Sequence, residues 1–214
     1  MKLYIAEATC SLAPQIVANE LGLNPELVHF DVFGRTTSNN DDFTKVNPLG
    51  YVPVLRLSDD PDDLLTETTV IVSYLADQKP DAGLIPSHGT RERVEVERLL
   101  TFTATEIAQK HIPLMRKLMT PEGTEWARNK LVTAYGEFEK RLSDGRPFLM
   151  GDKLSVADIY MWATMWHERS GAQIEHLERV MAHKAGMEAL PSVQKALKDE
   201  AEMVARHRAL AQAA

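Results

Sequence analysis

The sequence predicts an α+β chain in two parts, an N-terminal βαβ-ββα domain followed by an all-α C-terminal domain. Three observations carry this expectation. Through the first eighty residues, short strand-like apolar runs alternate with helix-like stripes. Lys79-Pro80-Asp81-Ala82-Gly83 then breaks the pattern. From Thr90 onward the apolar periodicity is almost entirely helical. The expected boundaries are residues 1–79 for the first domain, 80–89 for a linker and 90–214 for the second domain.

Leu3–Ala6 reads as the first strand, and Leu12–Leu21 as a helix closed by Gly22. Leu27–Val32 alternates like a strand. Residues 34–45 are polar and loop-like, with room for a helical turn before Asn47-Pro48. Val52–Leu57 is a strand, Asp59–Asp63 an acidic hairpin tip, and Leu64-Leu65 a short return strand. A helix over Thr68–Asp77 completes a small sheet layered with helices. Segments near 90–118, 122–142, 155–170, 174–183 and 191–207 carry the apolar stripes of the second domain. No internal repeat or low-complexity segment interrupts them.

Composition bounds the partners. A 44% hydrophobic and 26% charged chain of 214 residues has enough apolar side chains for one large core or two smaller ones. A net charge of -7 argues against a nucleic-acid backbone or an anionic membrane as the main partner. The expected location is the cytoplasm. The N-terminus carries no signal-like apolar run, no apolar segment reaches membrane-spanning length, and the single cysteine fits a reducing compartment. No metal site is expected, because the seven histidines show no ligand-like spacing.

That cysteine, Cys10, lies where a strand turns into a helix. Unpaired N–H groups and the helix dipole there favour an anion and lower a thiol pKa. Elsewhere a lone cysteine is usually a small buried hydrophobe. Thioredoxin-like folds place a redox Cys-x-x-Cys at this turn. Ala13 occupies the second cysteine position, so no internal disulfide forms. Ser11 beside it reads as an N-cap or first-turn residue, with a lesser role as donor to a nearby sulfur.

MKLYIAEATCSLAP, NPLGYVPVL, LTETTVIVSYLAD and LSVADIYMW follow one another in the order and spacing of glutathione transferases, and the chain resembles that family over essentially its whole length, including LPSVQKALKDE. The cysteine in CSLAP is similar to the bacterial beta class. The resemblance implies a thioredoxin-like N-terminal domain, an all-helical C-terminal domain, a homodimer, and glutathione as co-substrate. It places Cys10 beside the glutathione sulfur, where a mixed disulfide can form. It implies a cis-proline at Pro53, with the Val52 backbone pairing the cysteinyl part like an added strand. Glu67 would hold the γ-glutamyl ammonium, and Thr68 the neighbouring carboxylate at a helix terminus. Arg35 stands where the family has a lysine and would face the glycyl carboxylate. Ser155-Val156-Ala157-Asp158 reads as a capping box that serves folding rather than chemistry.

The chain departs from the family pattern at several points. Ala108 and Gln109 replace a histidine and a lysine, and Lys110 and His111 are shifted around the helix. Glu7-Ala8 replaces Pro-Gly before the cysteine, and Trp166-His167 replaces Arg-Trp. These changes bear on activity level and second substrate rather than on fold. The electrophile site is expected between the domains, with His111, Met115, Trp166 and His167 as substrate-binding candidates and Trp162 and Met165 nearby. A Met/Trp stripe at helical spacing is more often core, and His167 stands out because the resemblance implies an aromatic residue at its position. The leading functional expectation is a detoxifying transferase joining glutathione to small hydrophobic electrophiles. Its rivals are a glutathione-dependent thiol–disulfide or peroxide reductase using Cys10, and a non-catalytic glutathione-binding or ligand-carrier protein.

Overall fold

The structure is a computed structural model and describes residues 1–213. The chain forms two compact units, Met1–Ala82 together with the chain from Leu190 onward, and Gly83–Ala189.

The first unit is built on a five-stranded sheet of order β3-β2-β1-β4-β5. β1 (Lys2–Ile5) pairs parallel with β2 (Glu26–Asp31), through the crossover helix α1 (Leu12–Glu20). β1 also pairs antiparallel with β4 (Val54–Arg56), which pairs antiparallel with β5 (Leu64–Leu65). α3 (Thr68–Asp77) closes the expected βαβ-ββα order, and α2 (Phe43–Val46) is the helical turn before Asn47-Pro48. A two-residue strand, β3 (Thr36–Thr37), pairs with the end of β2 inside a segment that reads as loop from sequence. Tyr4, Val28, Phe30, Phe43, Val46 and Val54 form a buried cluster on this sheet, with Phe30 stacked on Phe43 at 4.0 Å. Leu3, Ile5 and Leu55, which alternate with them on the other face, are buried too, so both faces of the sheet are covered.

The last helix, α10 (Pro191–Ala213), belongs to this unit and not to the helical one expected for 90–214. Its buried residues Val193, Ala196, Glu200, Val204 and His207 recur every three or four positions and so share one face. That face meets α1 and β2: Gln15 Nε2 donates to the Ala196 carbonyl at 3.3 Å and Asn19 Nδ2 to the Ser192 carbonyl at 3.0 Å. The two helices therefore run antiparallel.

The second unit is helical: α4 (Arg91–Phe102), α5 (Gln109–Met115), α6 (Pro121–Arg141), α7 (Val156–Ala163), α8 (His167–Ser170) and α9 (Glu178–Glu188). The stretch expected near 155–170 is broken at Thr164–Trp166. α4 and α5 are joined without a break by Thr103–Ala108, wound as a π-helix. A π turn takes up an extra residue and so rotates every later side chain around the axis. Asp158 is fully buried at the start of α7 and accepts from Leu149 N–H, Ser155 N–H, the Ser155 hydroxyl and His183 Nε2. A carboxylate so completely engaged is a folding element, as the capping motif predicts.

Candidate active site

The turn between β1 and α1 places Cys10, and its shape comes from hydroxyl groups. Ser11 does not cap α1. Its side chain is fully buried and ties the end of β1, accepting from Ala6 N–H at 3.1 Å and lying 3.2 Å from the Ala6 carbonyl and 2.7 Å from the Thr9 hydroxyl. Thr9 also donates to the Ala6 carbonyl at 2.9 Å. The serine that sequence offers as a possible sulfur donor is thus spent on the turn. Ala8 adopts φ +53°, the left-handed region that favours glycine.

Cys10 is partly buried, and its Sγ lies 3.7 Å from the Val52 carbonyl oxygen. Burial pushes the thiol pKa up, outweighing the Thr68 hydroxyl and a backbone hydrogen bond that pull it down; the Glu67 charge adds to the rise. This corrects the expectation of a depressed thiol: the helix terminus is present, and desolvation wins. Cys10 rests as a neutral thiol in the free protein.

The loop facing Cys10 carries a cis Val52–Pro53 peptide. Asn47 organises it, accepting from Leu49 N–H at 3.1 Å and donating through Nδ2 to the Tyr51 carbonyl at 2.8 Å. The Val52 carbonyl receives the Cys10 thiol, while the Val52 N–H has no partner among the described residues. On the same loop Gly50 lies beneath the Arg35 guanidinium, and a side chain there would collide with it. Arg35 itself sits at φ +58° after a turn that Asp31 caps, accepting from Phe33 and Gly34 N–H at 2.9 Å each. Its guanidinium rests 5.6 Å from the centre of the Phe30 ring. It is exposed and engages no carboxylate among the described residues.

Glu67 and Thr68 open α3. Glu67 holds φ +65°, ψ +119°, a sparsely populated backbone state for a non-glycine residue. Its side chain is exposed, caps nothing and has no partner among the described residues. Thr68 is buried, with its hydroxyl beside Cys10. The structure thus brings Cys10, Val52, Glu67 and Thr68 together, and connects Arg35 to the same loop through Gly50.

The second group of candidates lies in the helical unit and fares differently. His111 is fully buried, with Nδ1 2.8 Å from the Ser170 hydroxyl and Nε2 3.0 Å from the Tyr135 hydroxyl. Ser170 donates onward to the His167 carbonyl, which makes Nδ1 the protonated nitrogen and Nε2 the acceptor. Burial, aided by nearby His167 and Arg169, lowers the His111 pKa to about 3. His167 is equally enclosed, its Nδ1 3.3 Å from the Met165 carbonyl. Both histidines are enclosed within the helical unit. The π-helical turn just before His111 gives a local reason for its inward aim. Met115 and Trp166 are half-buried, with Trp166 edge-on to His111 at 6.1 Å. Ala108, at the family's histidine position, is itself buried. Glu200, which no sequence motif singled out, reaches the Cys10 turn from α10: its Oε2 accepts from Ala8 N–H at 3.2 Å.

Two family models match the chain: the N-terminal domain of glutathione S-transferase over residues 9–78, and its C-terminal domain over 106–200. The glutathione S-transferase GstA of Escherichia coli O157:H7 is 33% identical, the match covering 94% of this chain and 98% of that protein. Among solved structures, a beta-class glutathione S-transferase of Sphingomonas chungbukensis is 36% identical with a TM-score of 0.85, covering 94% of this chain and 98% of that one. A sphingomonad glutathione S-transferase complexed with glutathione is 34% identical with a TM-score of 0.86, covering 94% and 99%. With both halves matched and the sheet, thiol turn and helical unit in the corresponding order, this chain belongs to the glutathione S-transferase family.

Proposed function

We propose that this transferase joins glutathione to a small hydrophobic electrophile, and that glutathione lies along Cys10, Val52, Glu67, Thr68 and Arg35. One observation carries the assignment. Two opposite charges without an ion-pair partner among the described residues, Glu67 and Arg35, accompany a backbone N–H without a partner among them at Val52. Glutathione presents the complementary set: an ammonium and a carboxylate at one end, a peptide in the middle and a second carboxylate at the other end. The Val52 N–H and C=O would pair with the cysteinyl residue as an added strand does. Glu67 would take the ammonium, and Thr68 the adjacent carboxylate, at the end of α3 where N–H groups lack helical partners. Arg35 would clamp the glycyl carboxylate with its planar fork.

The protein's contribution to rate is then positional. It fixes the attacking sulfur and supplies donors that favour its thiolate. The neutral resting state of Cys10 favours this over the reductase reading, in which Cys10 itself must attack. Met115 and Trp166 remain the helical unit's candidates for the electrophile. The cytoplasm, a detoxifying role and a homodimer complete the proposal. Exposed Phe33, Leu49 and Tyr51 offer apolar surface that a second copy would cover.

Calorimetric titration with glutathione, followed by turnover of an aryl halide, tests the reading. Binding that collapses in Glu67→Gln and Arg35→Ala, with measurable conjugation by the parent protein, is the expected result. Binding without conjugation of any electrophile would support a carrier. No binding at all would remove the site.

A further inference from the structure

The Cys10 turn is held from two sides. Thr9 and Ser11 tie it to the end of β1. From the other side α10 reaches it twice, through Glu200 Oε2 to Ala8 N–H and through an exposed Arg208–Glu7 ion pair. Glu200 is only 7% exposed, and its second oxygen, Oε1, is buried without a partner. A buried carboxylate with one oxygen unserved is costly. Its one hydrogen bond goes to the residue whose backbone takes the left-handed bend two positions before the thiol.

We propose that Glu200 is a positioning residue for the transferase reaction: by accepting the Ala8 N–H it fixes the bend that presents Cys10 to the glutathione sulfur. The inference rests on the placement of glutathione beside Cys10 given above. Ala8 lacks glycine's freedom at positive φ, so the bend needs an external hold, and Glu200 supplies it. The hold depends on charge. Burial raises the Glu200 carboxyl to about pH 7, with the Ala8 N–H opposing the rise and the Glu7 charge adding to it. Above that pH the carboxylate makes a charge-assisted bond. Below it the proton sits on Oε1, since Oε2 is occupied, and a neutral acceptor holds the turn less firmly.

Few other charges act here. Glu7 on the turn is paired with Arg208 of α10. α1 carries one charged residue, Glu20, at its far end. β2 contributes His29 and Asp31, and His29 meets His207 two turns farther along α10.

The sole cysteine makes the test direct. The rate of Cys10 alkylation by iodoacetamide is measured against pH in the ligand-free protein, for the parent, Glu200→Gln and Glu200→Ala. Steady-state rates with glutathione and an aryl halide run alongside. The parent should show an inflection near pH 7 beneath the titration of the thiol itself, and Glu200→Gln should lose it. Glu200→Ala should lower kcat about tenfold while KM for glutathione changes little, because about an ångström of misplacement is costly and the ligand's own contacts are intact. Glu200→Gln should restore most of that loss at pH 6 and less at pH 8. An identical inflection in parent and Glu200→Gln, or unchanged kcat and alkylation in Glu200→Ala, would overturn the proposal. If circular dichroism shows that Glu200→Ala does not fold, the Glu200→Gln profile decides alone. Alkylation needs no glutathione, so a failed ligand site and a failed role for Glu200 give different results.

Discussion

Replacing Ala8 by glycine should stabilise the protein. Ala8 adopts φ +53°, where the Cβ of an L-residue crowds the following carbonyl at a cost of about 1–2 kcal/mol. Glycine removes that cost but gives the unfolded chain more freedom, worth about 0.4–1 kcal/mol in the other direction. The net gain is about 0.5–1 kcal/mol. For a chain of this length it raises the melting midpoint by roughly 1–4 °C. Urea unfolding followed by circular dichroism measures it, and an unchanged m-value would show that the native and unfolded states keep their exposed areas. Ala8→Val is the opposing control: a β-branched side chain cannot take this bend and should destabilise by more than glycine stabilises. A midpoint that falls in Ala8→Gly, or two variants that behave alike, would refute the claim that the bend carries strain.

Glu67→Gln keeps shape and backbone while removing charge, so glutathione affinity should fall by about 1–3 kcal/mol, read by calorimetry. Cys10→Ser should abolish the protein–glutathione mixed disulfide in mass spectra and only moderate conjugation, because the attacking sulfur belongs to glutathione. His111→Ala should cost about 2–5 kcal/mol of stability, since it leaves a cavity and takes one hydrogen-bond partner from each of the Tyr135 and Ser170 hydroxyls; unchanged urea midpoints would contradict its core role. His111 also makes stability depend on pH. Its folded pKa is about 3 and its unfolded value about 6.5, so below pH 6.5 the unfolded chain takes up a proton that the native protein refuses. Its share of stability is therefore complete above 6.5 and falls by about 1.4 kcal/mol per pH unit toward 3. A His111→Gln variant should lose that part of the slope.

The elements that sequence located best are those whose local chemistry points one way. α3 was expected over Thr68–Asp77 and is found there, because an apolar stripe begins just after a return strand and ends before Lys79-Pro80. β4 begins later than Val52 because Pro53 has no N–H to donate to the ladder. Four thiol-site candidates converge because they share a turn, a loop and a helix start, each marked by short motifs. What escaped was decided by partners distant in sequence. The apolar stripe of α10 announced a helix and said nothing of what it would face, so its allegiance to α1 and β2 was hidden. His111 looked like a pocket residue because sequence shows neither the π-helical turn before it nor Tyr135 and Ser170 around it. The Cys10 pKa went the other way because burial is a property of the whole unit, while the helix terminus is visible locally.

The placement of α10 also sets the order in which the protein can be completed at the ribosome. Residues 1–82 emerge with the α1 face that α10 covers still bare, and its cover begins about 110 residues later. At roughly 5–20 residues per second that interval lasts on the order of ten seconds. Throughout it, the whole helical unit must be made while the thiol turn waits for Glu200 and Arg208. A nascent chain released before residue 191 would carry every glutathione contact proposed here and lack the helix that steadies them. The thiol turn is thereby fixed only after the helical unit has been made.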